Sequence, residues 1–163
     1  MDLTIIIFLL GGLFLGWSLG ANDAANVFGT AVGTRMVKFK TAALVCSVFV
    51  ILGAIISGAG TTETLGKLGA INALPGAFAA CVAAGLSVYI MTKFGLPVST
   101  TQAIVGAIVG WNIYTGYSIN IKILFTILAT WVLCPIIAAL IAMLFFIFTK
   151  QILRKSNWHL FSP

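Results

Sequence analysis

Asp23 stands between Asn22 and, one helical turn on, Asn26, inside the stretch LGANDAANVFGTAVGT at residues 19–34. On a helix, Ser18, Asn22, Asn26, Thr30 and Thr34 fall at consecutive i+4 steps, one slanted polar row with Asp23 beside it. A carboxylate and amide carbonyls are hard oxygen ligands, suited to Na+ or a proton rather than to a soft metal. An acid at the centre of a bilayer costs roughly 2.5–3.5 kcal/mol, so Asp23 is expected to face a cavity or a bound cation. If the helix unwinds near Gly20, its freed carbonyls could join the site. A row that only hydrogen-bonds neighbouring helices is the plainer alternative; it accounts for the Ser, Thr and Asn residues but poorly for Asp23.

A second group lies in GLPVSTTQAIVGAIVG, residues 95–110. Gly95 and Pro97 interrupt the chain, and Ser99 followed by Gln102 has the spacing of an N-cap with its reciprocal partner. The spacing predicts a helix from Ser99 whose first-turn N–H groups lack acceptors. Such an end carries about half a positive charge and attracts oxyanions without a lysine. Thr100 and Thr101 add hydroxyl donors. Ordinary capping at a membrane surface is the competing reading.

These groups have to be positioned by a chain of 163 residues that is 61% hydrophobic and 7% charged. A soluble domain carries about 25% charged residues. The long, continuous apolar runs therefore predict an all-α integral membrane protein rather than a barrel. Helices are expected at about 3–34, 41–60, 77–94, 99–117 and 121–150, as a single transmembrane unit over 1–163. The third and fourth are short, and the pair reads as a re-entrant helical hairpin with its tip at Gly95-Leu96-Pro97; two short full spans are the alternative. The start Met1-Asp2 lacks a basic n-region, so the first segment reads as mature sequence rather than a signal peptide.

The net charge of +6 sits between apolar segments and in the tail, which fits membrane orientation better than nucleic acid. Basic residues at 35–40 and 150–155 place those segments on the cytoplasmic side, the N-terminus outside and the C-terminus inside, in a multi-pass protein of the cell membrane. A unit that begins and ends on opposite sides must, if duplicated, repeat upside down, the usual build of secondary transporters. Glycines at 12, 16 and 20, at 29 and 33, and at 106 and 110 have the spacing of close helix contacts. Cys46, Cys81 and Cys134 lie in apolar runs and imply no disulfide framework. An enzyme is the least favoured class: the single histidine, His159, is in the tail, and no nucleophile–base pair is visible. An acid–amide group and an oxyanion-type helix start on one membrane unit point to cation-coupled anion transport.

GANDAAN at 20–26 resembles the GANDxAN signature of the inorganic phosphate transporter (Pit) family, the sodium- or proton-coupled phosphate permeases. GLPVSTTQAIVGAIVG resembles its second marker, PVSTT followed by His or Gln. The resemblance implies transport of inorganic phosphate, with sulfate carried by some relatives, through inverted repeats and alternating access. It implies that Asn22, Asp23 and Asn26 help bind the coupling ion, Na+ or H+, with Asp23 bordering the phosphate. Ser99, Thr100, Thr101 and Gln102 would supply anion contacts. No cofactor beyond the coupling ion is implied. Family members carry both motifs twice, whereas one copy of each stands here, so the sequence resembles an N-terminal-type half. The second repeat would come from an identical antiparallel chain, a separate polypeptide or the rest of a longer chain. A non-transporting scaffold or regulatory subunit is the alternative from another class. Both anions are tetrahedral, but only phosphate can offer a hydroxyl proton to an acceptor such as Asp23 or Gln102.

Overall fold

The computed structural model describes residues 3–69 and 74–155; Met1, Asp2, residues 70–73 and the tail from 156, with His159, lie outside the described residues. All described elements are helical: α1 (Leu3–Gly33), α2 (Phe39–Leu68), α3 (Leu74–Lys93), α4 (Thr100–Thr115) and α5 (Ile121–Lys155). Helices α1, α2, α3 and α5 are long and apolar enough to cross a membrane, and α4, at 16 residues, is shorter than such a span. The protein is an all-α, multi-pass integral membrane protein. Two compact units divide the chain, residues 1–120 and 121–163. The second consists of α5, a 35-residue apolar helix with Pro135 in its interior.

In the first unit α3 is the central helix. Its buried face, Gly76, Ala80, Ala84 and Val88, repeats every four residues and admits its neighbours closely. A Cβ at Gly85 would come within 2.8 Å of the Phe14 ring, and one at Gly11 within 2.7 Å of Phe78. On the other side, a Cβ at Gly76 would come within 2.8 Å of Trp111. Rings complete the α1–α3 seam, Phe8 against Phe78 at 5.7 Å and Trp17 against Tyr89 at 5.6 Å between centroids. The residues that meet rise together along both chains, so α1 and α3 run parallel, as helices joined by one antiparallel crossing must.

The glycines predicted to mediate contacts do not do so within the described residues. A Cβ at Gly12, Gly16, Gly20, Gly29, Gly33, Gly106 or Gly110 would find nothing within 4 Å. Close contact falls instead on Gly11, Gly76 and Gly85, none of them in those spaced sets, with Ala80 and Ala84 completing the buried face of α3.

A second correction concerns α2, expected to end near residue 60 with a loop to 75. The helix runs on to Leu68. Thr62 and Thr64 return their hydroxyls to the carbonyls four residues back, at 3.0 and 2.9 Å, and Lys67 pairs with Glu63 one turn away. Thr-rich and charged, these two turns read as loop but are satisfied as helix.

Each helix of the hairpin is ended by a left-handed glycine. Gly95 (φ 70°) and Gly116 (φ 73°) close α3 and α4. Each forms a Schellman pair: Gly95 N–H to the Thr92 carbonyl with Leu96 N–H to Met91, and Gly116 N–H to Ile113 with Tyr117 N–H to Asn112. The hairpin base is tied to the end of α2, where the Asn120 N–H donates to the Leu68 carbonyl at 2.9 Å.

From that common level α2 extends 30 residues and α3 only 20. At about 1.5 Å per residue, the hairpin tip stops roughly 15 Å short of the α1–α2 loop.

Candidate functional site

The hairpin tip docks on α1 at the level of Asn22 and Asp23. Asn22 is 3% exposed and every arm of its carboxamide is engaged. Its Nδ2 donates to the Val98 carbonyl at 2.6 Å and to Asp23 Oδ1 at 2.7 Å. Its Oδ1 accepts from the Thr92 hydroxyl at 3.3 Å. One side chain on α1 thus holds the last turn of α3, the tip loop and the adjacent carboxylate.

Asp23 is half-buried. Its Oδ1 also accepts from the Thr100 hydroxyl at 3.2 Å, and Thr100 is the first residue of α4. The acid therefore lies against the N-terminus of α4, where the helix dipole favours negative charge. Its Oδ2 makes no hydrogen bond to the described residues.

The start of α4 is capped as the sequence predicts on one side only. Ser99 Oγ accepts from the Gln102 N–H at 3.3 Å, but the Gln102 side chain does not reach back. The N–H groups of Thr100 and Thr101 keep no acceptor inside the helix.

The predicted residues fall into two sets. Asn22, Asp23 and Thr100 are brought together in the buried clasp. Ser99, Thr101 and Gln102 are exposed around the α4 N-terminus, and Asn26 is exposed one turn beyond the tip. Thr30 and Thr34 continue that exposed row, Thr34 returning its hydroxyl to the Thr30 carbonyl at 2.7 Å. Ser18, one turn before Asn22, is 1% exposed and its hydroxyl has no partner among the described residues.

Sequence reasoning missed Thr92 and the Val98 carbonyl. Thr92 lies in the last turn of an apolar helix, where a threonine is unremarkable; only its position two residues before the Phe94-Gly95 break hinted that it lies at the tip. The α1 helix is continuous through Gly20, so the condition under which freed carbonyls would join the site is not met.

A carboxylate and the N-terminus of α4 thus stand side by side, joined by the Asp23–Thr100 hydrogen bond.

The Phosphate transporter family model matches residues 19–161. A Thermococcus kodakarensis protein named "Putative phosphate permease" is 39% identical over 96% of the chain, and a Pyrococcus abyssi protein of the same name 39% over 91%. The "Inorganic phosphate transporter 2-1, chloroplastic" of Arabidopsis thaliana is 32% identical over 83%. The chain spans 41%, 38% and 25% of the lengths of these three relatives. No solved structure matches the chain. On the breadth of the family match, over the same residues that carry the clasp and the helix start, this chain belongs to the phosphate transporter family.

Proposed function

We propose that the chain supplies one repeat of a secondary transporter that moves inorganic phosphate across the cell membrane together with Na+ or H+. The observation that carries this reading is the hydrogen bond between Thr100 and Asp23, which puts a carboxylate at the mouth of an oxyanion-type helix end. A free anion there meets like charge in a poorly screened setting, a repulsion that grows as the local dielectric falls. A cation or proton on Asp23 removes the repulsion and lets the helix N–H groups act on phosphate. Coupling then follows from electrostatics, since neither ion is held well without the other.

The roles divide with exposure. Asp23 Oδ2 and the Asn26 carbonyl are the open oxygens for the coupling ion, with the Ser18 hydroxyl in reserve beneath them. Ser99, Thr101 and Gln102 face outward to contact phosphate. Asn22 fixes the frame, its amide being fully occupied. The short hairpin supports a re-entrant placement, with its tip about half a hydrocarbon thickness, ~30 Å, from the α1–α2 loop. The exposed Asn26–Thr30–Thr34 row then lines the way between the site and that loop. With the basic 35–40 loop cytoplasmic, the row is the inner leg of the route and the N-terminus is outside. The other wall of the site belongs to a second repeat, from a longer chain, a second polypeptide or an antiparallel copy.

The test is labelled-phosphate uptake into vesicles containing the assembled transporter, with and without a cation gradient. Asp23→Ala is expected to abolish gradient-driven uptake; uptake equal to that of the unmodified protein would overturn the reading.

A further inference from the structure

Opposite its polar row, α1 borders a groove of about 720 Å³ shared with α2. The α1 wall includes Gly16, Gly20, Gly29 and Gly33, and the α2 wall includes Ala43 and Cys46. No side chain fills it: a Cβ at any of these four glycines would find nothing within 4 Å. The lining is apolar apart from Ser47, so within a membrane it takes hydrocarbon.

The closed end of this groove is basic. Gly33 and Phe39 both line it, and the loop between them carries Arg35 and Lys38, with Lys40 one residue beyond. All three are exposed and none has a carboxylate partner among the described residues. The loop is held tight by Arg35 N–H to Val32 and Val37 N–H to Ala31, at 3.0 and 3.1 Å, with Arg35 itself left-handed (φ 60°). Unpaired cations fixed at the interfacial end of an unfilled apolar groove match a molecule with an anionic head and hydrocarbon tails.

We propose that the α1–α2 groove is a binding site for an anionic phospholipid. Its acyl chain lies along the glycine wall and its phosphate meets Arg35, Lys38 and Lys40. From Gly33 to Gly16 the wall runs about 25 Å at 1.5 Å per residue, longer than one leaflet's share of a ~30 Å core, so a full chain fits. At the level of the clasp the groove meets α1 on Gly20 and Ala24, away from Asn22, and the lipid proposal does not rest on the transport reading.

The experiment is native mass spectrometry of the full chain released from vesicles of equal phosphatidylglycerol and phosphatidylcholine. Phosphatidylglycerol is expected to be retained at least tenfold over phosphatidylcholine. The combined Arg35→Gln, Lys38→Gln, Lys40→Gln variant is expected to lose that preference. Ala43→Leu, which narrows the groove and leaves the cations in place, is expected to lower phosphatidylglycerol retention severalfold, with circular dichroism confirming the fold. Equal retention of the two lipids by the unmodified chain would overturn the proposal, as would a preference that survives removal of the three charges. A crosslink from Cys46 to a polypeptide segment would also overturn it, since a helix would then hold the groove.

Discussion

Thr100 Oγ1 lies 3.2 Å from Asp23 Oδ1, a side-chain bond that joins the start of α4 directly to the acid on α1. It couples the two polar motifs, one on a helix packed against the hairpin and one at its tip, into a single electrostatic unit. Hydrogen bonds to charged groups contribute about 1.5–3 kcal/mol. Thr100→Val, which keeps shape and removes the donor, is therefore expected to lower uptake at subsaturating cation by about 10- to 150-fold. Thr100→Ser should retain most activity. Equal uptake by the valine and wild-type proteins would show that this bond carries no functional weight.

Thr92 orients the Asn22 carboxamide by donating to its oxygen, leaving both N–H groups for Val98 and Asp23. A neutral hydrogen bond of this kind contributes about 0.5–1.5 kcal/mol. Thr92→Val is expected to reduce maximal uptake up to about tenfold, with Thr92→Ser close to wild type. Vesicle uptake at saturating phosphate and cation separates this positioning effect from a change in affinity.

The packing of α1 on α3 rests on Gly85, where a Cβ would press on Phe14 and on the Leu15 backbone. Overpacking of such a contact costs about 1–3 kcal/mol. Gly85→Leu is expected to lower the thermal midpoint of the detergent-solubilised chain by several degrees, whereas Gly12→Leu, with open space around it, should leave the midpoint nearly unchanged. Equal shifts at the two positions would remove the case for an α1–α3 seam.

Thr30 lies on the uncovered polar row beyond the tip, whereas Val32, two residues on, lines the α1–α2 groove on another face. In the assembled transporter Thr30→Cys is expected to react with a membrane-impermeant thiol reagent applied on the α1–α2 loop side, and to be shielded by phosphate. Val32→Cys is the comparison. No labelling at Thr30, with normal uptake, would take the route off this face.

The polar motifs were legible because Asp23 and the Asn residues are costly in an apolar run, and because Gly95, Pro97 and Ser99 punctuate a helix start. The membrane class was legible from composition for the same reason. What was not legible depends on partners distant in sequence. Thr92 acquires its role only when α3 lies parallel to α1, and an isolated threonine carries no mark of that. Glycine spacing misled because it records where a helix can be approached, not where one is; Gly16 and Gly20 face open space while Gly11, Gly76 and Gly85, outside the spaced sets, meet Phe78, Trp111 and Phe14. The last turns of α2 were read as loop because Glu63 and Lys67 signal exposure, and an exposed i,i+4 pair is as much at home on a helix.

The shortness of the hairpin also sets an electrical distance. Where water reaches the tip from the α1–α2 loop, an ion arriving from that side crosses only about half of the low-dielectric slab before it binds. Of the ~2.3 kcal/mol that 100 mV exerts on a unit charge over the whole membrane, roughly half, ~1.2 kcal/mol, would then act on each leg of its journey. Entry and release would feel the membrane voltage in comparable measure, so neither step alone would carry the voltage sensitivity of the cycle.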